Sequence, residues 1–332
     1  MTSAQLKRFK SAVWGFVIGD ALGVPYEFST RDEMAAFPVT DMIGYRTHNQ
    51  PAGSWSDDSS MMLCVLIWLI EEGDKNDDYW LEAGSQQQHK LASKFLDWYQ
   101  NGNYTSSGHI FDIGITTQQA IENFASGKPA QDCGIDLVEV ACGNGSLMRC
   151  LPLALFFIDK RISMRFLMVT RVGSITHRTL LTAHCSLFYV EFLVKLLNGF
   201  NKNDALEHAR IALDFVFRQT GDACEDSDIK PLKRIFKSDF IKLPQECIHS
   251  GTYVIDTLEA VIWSFMNTDS YTAAVMAAIN LGGDTDTIGA LTGGLAGCYY
   301  EGKIPRKWKD KLLNKQLLNS LLNKIQEKSR KL

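Results

Sequence analysis

The sequence predicts an all-α protein, a compact orthogonal bundle of helices around one core. Three observations carry this reading. Apolar residues return every three or four positions through most of the 332 residues, the spacing of one buried helical face. Alternating strand patterns are scarce, and the breaks between periodic segments are Gly, Asn and Ser clusters, the usual chemistry of loops. No period of 20 to 50 residues recurs, which excludes a solenoid.

The elements follow in order. Leu6, Phe9, Val13, Phe16 and Val17 define a first helix that ends before Pro25 and delivers Glu27 just beyond its end. The polar run Ser56 to Ser60 leads into Met61–Ile70, apolar on all sides, as a central buried helix with an exposed N-terminal mouth requires. Further helices are expected over 91–99, 113–124, 147–157, 179–200, 205–217, 255–265, 272–279 and 287–300. Leu312, Leu313, Leu317, Leu318, Leu321, Leu322 and Ile325 form one stripe near the C-terminus, expected to pack on the rest of the chain. Residues 73–89 and 221–251 are poorer in apolar periodicity and read as polar surface insertions in a single domain spanning 1–332.

Composition narrows the function classes. With 45% hydrophobic and 22% charged residues the chain has ample apolar surface to bury, and disorder is excluded. A formal charge of -4 offers no basic field for nucleic acid. The eight Cys contain no C-x-x-C pair and read as buried thiols in a reducing compartment. Met1–Lys10 lacks the apolar region of a signal peptide, and the longest uninterrupted apolar run is about half a membrane span, so a cytoplasmic protein with no membrane partner is expected.

Two acidic motifs stand out. Gly282-Gly283-Asp284-Thr285-Asp286-Thr287 places two carboxylates and a hydroxyl at the mouth of an apolar helix, the oxygen ligands that hard cations prefer. The same residues also suit a plain N-cap, and for this loop alone the two readings stand level. Ser56-Asp57-Asp58 sits at a second helix mouth. Capping accounts for one carboxylate there but poorly for two adjacent ones, because like charges repel unless a cation compensates. If the mouths face each other, Asp57, Asp58, Asp284 and Asp286 converge on a dimetal site about 4 Å across. A third motif, Gly143-Asn144-Gly145-Ser146-Leu147-Met148-Arg149, is a Gly-rich helix start suited to phosphate or to a simple turn. His177, preceding an apolar helix, can donate to an anion or merely pack.

Taken together with Gly19-Asp20-Ala21-Leu22-Gly23, Pro25 and Glu27, Asp112-Ile113-Gly114-Ile115-Thr116-Thr117 and Thr176-His177, these motifs, in this order from about Phe9 to Glu301, resemble the ADP-ribosylglycohydrolase family, which includes the dinitrogenase-reductase-activating glycohydrolases. The resemblance implies an all-α fold of that family's type holding two Mg²⁺ or Mn²⁺ ions. It implies that Ser56, Asp57, Asp58, Asp284, Asp286 and Thr287 are metal ligands and that Glu27 lies beside the metals and the anomeric carbon, with Glu27 or Asp58 as the candidate catalytic base. It further implies that Gly143, Asn144, Gly145, Ser146, the rest of the loop to Arg149, and His177 meet the diphosphate, with Gly114 at the ribose end. The family usually has Thr where this chain has Ser56 and Ser59. Ser keeps the oxygen but loses the methyl that fixes its rotamer, a change toward weaker metal affinity at an unchanged ligand count. The implied activity is hydrolysis of ADP-ribose from a modified protein, with arginine as the expected linkage. The alternatives are serine-linked or other adducts, or an ADP-ribose-binding, immunity-type protein that neutralises a toxin by occlusion. Retention of all six ligand-type side chains favours the enzyme.

Overall fold

The structure is a computed structural model that describes residues 1–73, 75–82, 84–220 and 230–329. Its α-helices are α1 (Ser3–Gly23), α2 (Arg31–Ala36), α3 (Asp57–Glu72), α4 (Asp77–Glu82), α5 (Gly84–Asn101), α6 (Ile115–Ala125), α7 (Val138–Ala141), α8 (Leu151–Phe156), α9 (Ile162–Ser174), α10 (Leu180–Leu197), α11 (Lys202–Thr220), α12 (Val254–Met266), α13 (Tyr271–Ile279), α14 (Thr285–Tyr299), α15 (Arg306–Lys311) and α16 (Lys315–Ser329). No β-strand occurs among the described residues; two isolated bridges join Ile135 to His177 and Gly143 to Tyr253. The expected all-α class is therefore the observed one, and the buried apolar side chains form one contiguous core.

At the centre α1 and α14 lie against each other through two rows of glycines. On α1 these are Gly15, Gly19 and Gly23; on α14 they are Gly289, Gly293 and Gly297, each four residues apart. A Cβ on Gly19 would stand 2.1 Å from the Gly289 carbonyl oxygen, and one on Gly23 would stand 2.3 Å from that of Thr285. No side chain fits there, so the backbones approach as closely as helices can. The two rows run antiparallel, which sets the end of α1 beside the start of α14. Thr285 Oγ1 donates to the Gly23 carbonyl at 2.8 Å and fastens that junction.

Helices α3 and α10 are buried along nearly their whole lengths. α10 is long and apolar enough to cross a bilayer, but 89% of it is enclosed by the other helices. Leu318, Leu321, Leu322 and Ile325 of α16 are buried, so the C-terminal stripe does pack on the core.

Some elements differ from expectation. The helix expected over 147–157 is a 3₁₀ turn, Asn144–Ser146, followed by α8 from Leu151; Pro152 sits in the first turn of α8, where its missing N–H costs no helical bond. α9 was not anticipated, although its buried Met164, Met168 and Val172 keep four-residue spacing. Residues 73–89, expected as a surface insertion, contain α4 and the start of α5, and Trp80 is buried against Trp68 and Phe157. In the other expected insertion the acidic cluster Glu225, Asp226 and Asp228 lies outside the described residues. The remainder holds three 3₁₀ turns, Lys230–Arg234, Phe240–Lys242 and Gln245–Cys247, docked by buried Leu232, Ile235 and Phe240.

Candidate active site

Three chain segments meet where α1 ends and where α3 and α14 begin. After α1 a 3₁₀ turn containing Pro25 leads to Glu27. Phe28 N–H then donates to the Gly283 carbonyl at 2.7 Å, and Gly283 N–H donates to that of Ser29 at 2.8 Å. This pairing ties Glu27 to the Gly282-Gly283 turn. Gly283 has φ +73, and a Cβ there would stand 2.2 Å from the Ser250 carbonyl oxygen, so only glycine allows the turn.

The two acidic mouths face each other. Thr287 Oγ1 donates to Asp58 Oδ2 at 3.1 Å, and Ser56 Oγ donates to the same oxygen at 3.1 Å. Glu27, Asp284 and Asp286 bring carboxylate oxygens within 4.8 Å of one another. Asp57 lies on the same cavity but beside Asp112, whose charge raises its pKa, while the Gly114 N–H favours its ionised form. The tight carboxylate cluster is thus Glu27 with Asp284 and Asp286, and Asp57 and Asp58 stand next to it rather than within it.

Capping explains only part of this arrangement. Ser56 does cap α3, its Oγ accepting from Asp58 N–H at 3.3 Å. Asp284, at the N-cap position of α14, makes no such side-chain bond; its carboxylate accepts instead from Asn144 Nδ2. Beneath Ser56, buried Asp20 accepts from Ser56 N–H at 2.9 Å and from Ser59 N–H at 3.0 Å, which sets the register of the first turn of α3. Burial pushes the Asp20 carboxyl up to about 6, against the hydrogen bonds from Ser59 and Ser56.

Carboxylates crowd the site, and among the described residues His48 is paired with only one of them, Glu27. Burial, reinforced by Asp112, Glu27 and Asp20, holds Asp57 well above the usual carboxylate range. Burial with Asp57, Asp20 and Asp284 does the same for Asp58, and burial with Glu27, Asp58 and Asp284 for Asp286. Burial also raises Asp284 and Asp112. Glu27 is pushed up to about 7 by burial and by the charges of Asp112 and Asp284, opposed by its hydrogen bond with His48. Asp58 Oδ1 is buried without a hydrogen-bond partner among the described residues. Crowded buried carboxylates and an orphaned oxygen fit hard divalent cations, which accept several oxygen ligands and relieve the repulsion. Asp57, Asp58, Asp284, Asp286, Thr287 and Glu27 all line one cavity and carry oxygens that could hold such a cation.

The cavity above these groups has a volume of about 380 Å³. Its lining also includes Gly143, Asn144, Gly145, Gly114 and His177. A Cβ on Gly145 would stand 2.5 Å from His177 Cε1, so this loop presents bare backbone. Three groups expected to face the diphosphate are engaged or buried elsewhere. Asn144 N–H donates to the Thr252 carbonyl at 3.0 Å and is not free for an anion. Ser146 lies beneath the loop, with its Oγ 3.5 Å from that of Ser186, outside the cavity lining. Arg149 is likewise sealed below the loop. A second cavity of about 260 Å³, lined mainly by apolar side chains such as Ile70, Phe157 and Ile325, holds no carboxylate cluster.

Sequence reasoning assigned no role to Asp112 or His48. With Glu27 they form a second group of ligand-type atoms within 4.8 Å. Asp112 stood two residues from Gly114, a visible signal; His48 lies in an irregular segment with no pattern to mark it.

The chain matches known proteins along its whole length. The ADP-ribosylglycohydrolase family profile covers residues 1–331. The chain is 30% identical over 331 residues to the ADP-ribosylarginine hydrolase Tri1 of Serratia proteamaculans (strain 568), covering 97% of this chain and 80% of that protein. It is 25% identical over 308 residues to the ADP-ribosyl-[dinitrogen reductase] glycohydrolase of Rhodospirillum rubrum, covering 92% and 90%. A solved structure described as an ADP-ribosylglycohydrolase-related protein complex superposes with a TM-score of 0.75 at 28% identity, over 99% of this chain and 100% of that one. With its helical fold and a buried acidic cavity built from the expected motifs, the chain belongs to the ADP-ribosylglycohydrolase family, enzymes that hydrolyse glycosidic bonds.

Proposed function

We propose that this enzyme removes ADP-ribose from modified arginine side chains of a protein, cleaving the N-glycosidic bond with the help of two divalent cations, Mg²⁺ or Mn²⁺. The observation that carries the reading is a single cavity lined both by buried carboxylates and by a glycine-rich loop with His177. The activity named for the Serratia relative supports the arginine linkage, and an acidic wall suits a guanidinium leaving group.

The reaction breaks the bond between the anomeric carbon and the guanidine nitrogen and joins water oxygen to that carbon. Positive charge develops on the ribose in an oxocarbenium-like transition state, which the carboxylates of Glu27, Asp284 and Asp286 would stabilise. Glu27 takes the proton of the attacking water. His48, paired with Glu27, holds that carboxylate in place. Bound cations would lower the pKa of water and orient the ribose hydroxyls.

The test is incubation of the purified chain with arginine-, serine- and cysteine-linked ADP-ribosyl peptides, with and without EDTA. Release from the arginine peptide alone, abolished by EDTA, is expected. Release from serine instead reassigns the linkage. Tight ADP-ribose binding without any release replaces the enzyme reading by one of occlusion.

A further inference from the structure

Below the glycine loop lies a buried cation with no ion pair among the described residues. Arg149 is 0% exposed. Its Nη1 donates to the Gly145 carbonyl at 2.8 Å, and its Nη2 donates to the carbonyls of Val172 and Gly173, at 3.0 Å each, and to Thr176 Oγ1 at 2.6 Å. Val172 and Gly173 belong to the last turn of α9, where oriented carbonyls favour positive charge. The guanidinium also lies over the Phe95 ring, 5.0 Å from its centroid. It is well held, and its consequence lies one residue further on.

A guanidinium can only donate, so Thr176 Oγ1 is the acceptor in that contact. A hydroxyl has a second lone pair, so that contact alone does not direct its proton; among the described residues the one acceptor in reach of the Thr176 proton is His177 Nδ1, 2.8 Å away. A neutral imidazole whose Nδ1 accepts carries its proton on Nε2. Nε2 lies 3.4 Å and 3.1 Å from where a Cβ would stand on Gly143 and Gly145, on the cavity wall. Burial and the nearby Arg149 charge push the His177 pKa down to about 3, which keeps the ring neutral.

We propose that Thr176, itself held by Arg149, is a positioning residue that fixes His177 as the Nε2–H tautomer, so that the ring presents a permanent donor to the diphosphate of ADP-ribose. The identity of that ligand rests on the function proposed above; the tautomer does not. Arg149 thus serves the anion site without touching it. The glycines at 143 and 145 leave the ring edge uncovered.

Two measurements test this. In the full chain labelled with ¹⁵N-histidine, long-range ¹H–¹⁵N spectra report which ring nitrogen carries the proton, with His177 identified among seven histidines by the signal missing from His177→Gln. A protonated Nε2 and bare Nδ1 are expected between about pH 5.5 and 8; a proton on Nδ1, or a charged ring in that range, overturns the proposal. In calorimetric titration with free ADP-ribose, Thr176→Val should bind about tenfold more weakly and Thr176→Ser close to wild type, the scale of one hydrogen bond to a charged group. Wild-type affinity in Thr176→Val also overturns it. A purely structural Thr176 would lower the melting temperature of Thr176→Val while leaving its His177 spectrum unchanged, and that result counts against the proposal. If wild type itself fails to bind ADP-ribose, the functional reading falls and the spectrum still decides the tautomer. Should Thr176→Val not fold, the wild-type spectrum decides.

Discussion

Removing divalent cations should destabilise this protein more as the pH rises. In the metal-free chain Glu27 titrates at about 7 rather than 4.5, and Asp57, Asp58 and Asp286 are held well above 3.8 by burial and by one another. A carboxylate whose folded pKa is raised contributes stability that is fully present below its unfolded pKa and is lost as the pH climbs through the folded value. For Glu27 that window runs from near 4.5 to near 7, a loss of about 3 kcal/mol once it is passed. Bound cations displace these protons, so the stabilisation they confer grows by about 1.4 kcal/mol per pH unit for each proton displaced. Between about pH 5.5 and 7.5 one displaced proton adds about 3 kcal/mol, or roughly 4 °C in melting temperature for a chain of this size. The assay is thermal melting at several pH values, each with EDTA and with saturating Mg²⁺. Taking the difference between the two removes groups distant from the cations. A Mg²⁺ increment that is flat, or larger at acid pH, refutes the reasoning.

Asp58→Ala and Asp286→Ala should each abolish hydrolysis of an arginine-linked peptide while leaving the melting temperature in EDTA unchanged or higher, because one of several repelling buried carboxylates is gone; turnover at saturating Mg²⁺ near the wild-type rate would remove them from the metal site. Gly145→Val should weaken ADP-ribose binding by at least about tenfold, since even its Cβ would stand 2.5 Å from His177 Cε1, and unchanged calorimetric affinity would reduce the loop to a plain turn. Gly19→Ala should cost about 2 to 4 kcal/mol, as its Cβ would stand 2.1 Å from the Gly289 carbonyl oxygen; the urea midpoint checks this, and a wild-type midpoint would mean that α1 and α14 are not so closely packed.

Much of the helical order was legible because apolar periodicity is a local property. Met61–Ile70 reads as buried on all sides and is the body of α3; the first helix ends before Pro25 as its ring requires. The junction at Asn144–Ser146 was misread because a Gly-rich loop before apolar residues resembles a helix start, whereas Pro152 and the Asn144 N–H bond to Thr252 shape a turn. The facing of the two acidic mouths depended on long-range packing. Its determinant was nevertheless present as glycines at 15, 19 and 23 and at 289, 293 and 297, a four-residue spacing that reads as weak helix propensity until it is paired with its complement. His48 carried no comparable signal, for its place beside Glu27 comes from an irregular loop whose path only the folded neighbours determine.

Helix mouths alone do not account for the acidic residues. α3 and α14 both direct their N-termini at this site, and aligned peptide dipoles there favour negative charge by about 0.3 to 1 kcal/mol each, up to ~2 in buried geometries. If that were enough, Asp58 and Asp286 would titrate at or below the ordinary range. Burial and neighbouring carboxylates instead hold both well above it, and Asp58 Oδ1 has no partner among the described residues. Hydroxyls from Ser56 and Thr287 reach only Oδ2 of that residue. The dipoles therefore lessen the repulsion without cancelling it, and what remains is a repulsion that bound protons or a bound cation would relieve.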